Sequence, residues 1–110
     1  MPTAFLTATS TLIGRYRDTT AALKRASTRV AEARAAVQEQ EAQIAAFLEI
    51  YNVGANRRHF QILQEKVRVL GDLRTHLHLA ANTEYAATRA AGEARFAMVD
   101  ALPDAVREVL

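Results

Sequence analysis

Asp72 and His76 lie four residues apart, so a helix would put them on one face, with Glu84 two turns beyond. Carboxylate and imidazole in that arrangement are raw material for a metal site or an acid–base pair. His78 falls on another face than His76, and the chain contains no Glu-x-x-His, the spacing with which helical bundles hold metal pairs. It also has no cysteine, which removes thiolate zinc sites and disulfides. The expectation is that all three histidines are structural or superficial. No metal or cofactor is expected, and the chain reads as a non-enzyme. A metal-binding four-helix bundle is the remotest alternative.

Two sets of cations come next. Arg57, Arg58 and His59 follow Asn56 in "YNVGANRRHF" (residues 51–60), where a helix should restart. Cations in a first helical turn oppose the helix dipole by a few tenths of a kcal/mol each, so folding alone does not explain them. They are candidates for docking an acidic partner. Arg15, Arg17, Lys24, Arg25 and Arg29 form a basic stretch able to meet phosphates, and the pI near 9.4 invites that reading. The formal net charge is only +2, and no helix-turn-helix, RNA-binding aromatic signature or zinc finger accompanies the arginines. A nucleic-acid accessory role is therefore the alternative, and a solvated charged face the preferred reading.

Which elements would position these groups? The chain is half hydrophobic by count, but alanine dominates and aromatics are 6%, the profile of long helices. Leu12, Tyr16, Thr19, Leu23, Ala26, Val30, Ala33, Val37, Gln40, Ile44 and Phe47 recur at alternating intervals of four and three, with Phe5 and Thr9 before them and Tyr51 after. That is a heptad seam. It predicts a first helix over residues 4–51, up to about 65 Å long at 1.5 Å per residue. Gly54 is expected to end it in the left-handed conformation, within a turn at 52–56, and Asn56 to cap the next helix.

A second helix is predicted over residues 57–101. Leu63, Val67, Leu70, Arg74, Leu77, Ala81, Tyr85, Thr88, Gly92, Phe96 and Val99 share one face at a period of 3.6. Pro103 then breaks the pattern, and a short amphipathic helix over 103–110 would show Val106, Val109 and Leu110.

Folding back about Gly54 sets Ala33 against Leu77, Tyr16 against Ala91 and Gly92, and Phe47 against Ile62 and Leu63. Large thus meets small, as close packing requires. Charge agrees with this register. Residues 1–34 carry six basic and two acidic groups, net +4, and face residues 79–110 with three basic and five acidic, net −2. Residues 35–50, net −3, face residues 51–78 with five basic and two acidic, net +3. Gln40 and Arg74 are the polar intrusions, read as a register device, with Glu39, Glu41 or Asp72 available to the Arg.

The fold class expected is all-α: an antiparallel two-helix coiled-coil hairpin in one domain, with a short C-terminal helix. A chain this short buries only about 60–65% of its unfolded surface. A second copy or a protein partner would complete the bundle by covering Leu6, Ile13, Leu48, Ile50, Leu73, Leu79, Val106, Val109 and Leu110, all read as lying off the packed faces.

The same residues bear on three families of helical hairpins. The bend reads Asn52-Val53-Gly54, not the Trp-x-Gly of the WXG-type secreted hairpins. Tyr85-Ala-Ala-Thr-Arg89 stands where their Tyr-x-x-x-Asp/Glu signal would be. The basic bend departs equally from the acidic tip of Gre-type transcription factors. In shape and Ala/Arg/Glu composition both helices resemble the coiled-coil stalk proteins of flagellar and type III export machines, a resemblance that implies a shape and carries no motif. The expectation is a non-enzymatic interaction module: a structural component, adaptor or small chaperone of a larger assembly. With no apolar run near the roughly 20 residues that span a bilayer, and no Sec-type start, a cytoplasmic location is expected, signal-independent export being left open.

Overall fold

The computed structural model describes the backbone of residues 2–101 and the side chains of residues 10–101. The helix expected at 103–110, with Val106, Val109 and Leu110, lies outside the described residues. So do the side chains of Phe5, Leu6 and Thr9. Two helices account for nearly all the rest: α1, Pro2–Ile50, and α2, Arg57–Asp100. They form an antiparallel hairpin, and no strand occurs among the described residues.

Packing groups the chain into two compact units. One is Thr28–Asn82, which contains the bend; the other joins Met1–Ser27 to Thr83–Leu110. In the bend unit, Val30, Ala33 and Val37 of α1 and Leu70 of α2 are buried. Leu63, Lys66, Leu73, Leu77 and Ala80 are half-buried beside them. Gln40 is the polar side chain that α1 brings to this seam, and its Nε2 donates to the Lys66 carbonyl at 2.9 Å. Such a bond contributes about 0.5–1.5 kcal/mol and fixes which turn of α2 lies opposite Gln40. Among the described residues of the second unit the buried side chains are Ala26, Ala91 and Ala94, all methyl groups. Leu12, Tyr16, Thr19, Leu23, Glu84, Ala87 and Met98 are half-buried.

The α1 seam runs as the heptad reading expects. The α2 face does not. Leu63, Leu70 and Leu77 turn inward, but Val67, Arg74, Ala81, Tyr85, Thr88, Gly92 and Phe96 are exposed. The inward positions are instead 63, 66, 70, 73, 77, 80, 84, 87, 91, 94 and 98, which step by three and four. Two helices that stay in contact must share one repeat, and α1 keeps 3.5 residues per turn. Leu73, read as off-face, therefore belongs to the seam. Arg74, read as a seam intrusion, sits outside and donates to Glu41 at 3.3 Å across the bend unit.

Most other described ion pairs lie along one helix. Arg68 bridges Glu65 and Asp72, three and four residues away, and Arg89 pairs with Glu93 at 3.4 Å. The hydrogen bond from Arg68 holds the Glu65 carboxyl below its ordinary value, and the same bond raises the Arg68 guanidinium. All these groups are well exposed, so the pairs are helix-surface pairs of small energy.

Candidate functional site

The bend is built from ordinary backbone. The Tyr51 N–H closes the last turn of α1 on the Phe47 carbonyl at 3.0 Å, and the Ala55 N–H reaches the Asn52 carbonyl at 3.2 Å. No described glycine has a positive φ, so the expected left-handed Gly54 is not there. A turn closed between residues 52 and 55 reverses the chain without that conformation. A Cβ built on Gly54 would meet only the Asn52 Oδ1, at 3.5 Å. Asn56 does cap α2: its Oδ1 accepts from the Arg58 and His59 N–H groups at 2.9 and 3.2 Å.

Three rings lock this bend. His59 lies 4.4 Å from Tyr51 and edge-on to Phe47 at 6.3 Å between centroids, and Phe47 and Tyr51 are 4.7 Å apart. The Lys66 ammonium sits 5.7 Å from the Phe47 centroid, its stem lying along the seam. Phe47 thus meets His59, Tyr51 and Lys66, while Ile62, expected against it, is exposed. The basic trio divides accordingly. His59 is half-buried and belongs to the ring cluster, whereas Arg57 and Arg58 are exposed and make no ion pair with a described residue. No acidic residue stands in the first turn of α2 to offset them.

The bend segment also exposes large apolar side chains. Ile50 is 71% exposed, and Leu48, Tyr51 and Phe60 are each about half exposed. Residues 48–53 line a shallow groove on this side of the bend. Leu48 and Ile50 belong to the partner surface expected from the sequence, and the exposed Phe60, Ile62 and Val67 add to it. Leu79, also expected there, is 58% exposed, and Ile13 is half-buried.

A second apolar surface lies on α2 in the other unit. Tyr85 is 72% and Phe96 75% exposed, and Gly92, Arg95, Phe96 and Val99 line a shallow groove. Sequence reasoning assigned Tyr85 and Phe96 to the packed face because their spacing is helical and their side chains large. The signal that could have excluded them is the repeat: they leave the heptad that Leu63, Leu70 and Leu77 begin.

The remaining candidates are scattered. Arg15, Arg17, Lys24, Arg25 and Arg29 are all exposed. At about 100° per residue they fan over roughly half the circumference of α1, so they make no single stripe. Asp72 is engaged by Arg68 at 2.9 Å, and His78 contacts Asn82 at 3.4 Å. No three His, Asp or Glu side chains converge among the described residues. Among those residues, too, no helix is long and apolar enough to cross a membrane. Compared with family models, with curated proteins and with solved structures, the chain matches none.

Proposed function

We propose that this chain is a non-enzymatic helical-hairpin interaction module, acting as a structural component, adaptor or small chaperone within a larger assembly. The observation that carries this reading is where the apolar side chains stand. Among the described residues nine large ones are exposed, while seven residues are buried and four of those are alanines. Single exposed apolar residues need no explanation, but here they gather at the bend and along α2, as at surfaces that another chain covers.

The polar groups support the same reading. Of the partnered groups described above, most form exposed pairs along α2, Gln40 and the Arg74–Glu41 pair tie the two helices together, and Asn56 caps α2; no polar side chain is buried among the described residues.

The test combines light scattering over a wide concentration range with capture of partners from native cells. Self-association, or capture that Ile50→Ser, Phe60→Ser and Phe96→Ser abolish, is the expected result. A stable chain that stays monomeric, and whose captured proteins are indifferent to all three changes, overturns the reading.

A further inference from the structure

We propose that the outer face of α2 between Tyr85 and Val99 binds the same face of a second copy, antiparallel, about a two-fold axis beside Thr88. The proposal rests on the interaction reading above and names its partner and geometry.

The face is distinct from the hairpin seam. Tyr85, Thr88, Gly92, Phe96 and Val99 share one side of α2, and Glu84, Ala87, Ala91, Ala94 and Met98 occupy the seam. At about 100° per residue the two sides are centred about 120° apart, an angle at which one helix serves two neighbours in a bundle. The unit has reason to need a second neighbour, because its buried side chains among the described residues are three alanines, which remove little apolar area from water.

What points to a second copy, and not to another protein, is that the face complements itself. In a two-fold contact the same patch serves both partners. An axis passing between Thr88 and Arg89 sets Tyr85, one turn before it, opposite the partner copy's Gly92, one turn after it. Gly92 lines a shallow groove with Arg95, Phe96 and Val99. The largest exposed ring in the first half of the face thus meets the only residue in the second half without a side chain, and the same contact repeats on the other side of the axis.

Charge fits the same pairing. Glu84 and Arg95 lie on one border of the face, at opposite ends, so an antiparallel partner brings its Arg95 toward Glu84. Neither makes an ion pair with a described residue within its own chain. On the other border Arg89 falls near the axis, where two copies would repel, but Glu93 at 3.4 Å already neutralises it.

Gly92 offers a clean test, because a Cβ added there meets nothing within 4 Å in the hairpin itself. Gly92→Leu should leave helicity and the thermal midpoint of the dilute chain no lower, yet fill the seat of the partner's Tyr85. Dimerisation measured by sedimentation should weaken by about tenfold or more. Thr88→Cys, in a chain with no other cysteine, should form a disulfide-linked dimer under mild oxidation, since residues beside a close two-fold axis can reach the roughly 4.4–6.8 Å Cα separation a disulfide needs. Thr20→Cys on α1 is the control and should stay unlinked at the same concentration. A chain that self-associates while ignoring Gly92→Leu, and whose Thr88→Cys variant stays unlinked, overturns this geometry but not the interaction reading. A chain that is monomeric throughout also overturns it, and the captured-partner experiment then judges that reading separately.

Discussion

At the scale of single residues, the bend separates two roles that look alike in sequence. Asn56 has a specific task, since its side chain satisfies two N–H groups that α2 would otherwise leave open. Gly54 has none that requires glycine. Asn56→Ala should therefore lower stability by about 0.5–2 kcal/mol. Gly54→Ala should be neutral or raise stability by up to about 1 kcal/mol, through the entropy removed from the unfolded chain. Urea unfolding of both variants checks the pair, and a large loss at Gly54 would mean that the bend depends on glycine after all. His59 teaches a related lesson. Beside Arg57 and Arg58 in the chain it reads as a third cation, but packing joins it to Phe47 and Tyr51, and only the two arginines remain outside.

At the scale of elements, the helix bounds were legible because Gly, Asn and a missing period punctuate the chain where the helices stop. The α1 seam was legible because its large residues lie on it. The α2 seam was not, for a physical reason. Its inner positions hold alanines, Glu84 and Lys66, while Val67, Tyr85 and Phe96 stand outside, so side-chain size and side-chain location disagree. A size-weighted reading follows the wrong residues. The two assignments make opposite predictions. If the heptad is right, Leu70→Ala and Leu73→Ala should each cost about 2–3 kcal/mol, toward the low end for core leucines because the seam is thin. Val67→Ala, on an exposed position, should stay within about 0.5 kcal/mol. Thermal or urea unfolding of dilute protein decides. Equal losses at Val67 and Leu73 would return α2 to the 3.6-residue face.

At the scale of the whole molecule, what matters is how little is enclosed. A hairpin with seven buried residues among those described has a modest hydrophobic contribution to offset the entropy of ordering the chain. Association is then part of stability and not only of function. The thermal midpoint should rise with protein concentration, because a ligand that binds only the folded form stabilises it by mass action, and a second copy is such a ligand. Calorimetry at micromolar and at near-millimolar chain concentration measures it. A midpoint indifferent to concentration would mean that the hairpin stands on its own contacts. The candidate site was legible only in part for the same reason. Exposed leucines and isoleucines can be guessed from an α1 seam, but which aromatic rings are left outside depends on the partner helix.

The two faces of α2 have one more consequence, which concerns how such a chain can change over generations. Tyr85, Thr88, Gly92 and Val99 each stand one position after a seam residue: Glu84, Ala87, Ala91 and Met98. Deleting a single residue just ahead of Tyr85 would turn everything after it by about 100° and slide these four into inner places, while Phe96 would stay outside and Arg95 would take the place of Ala94. The old lining would be left facing water. A one-codon loss would here exchange most of the lining for surface, and with one further change at Arg95 a lineage could move its contact face without inventing a new one.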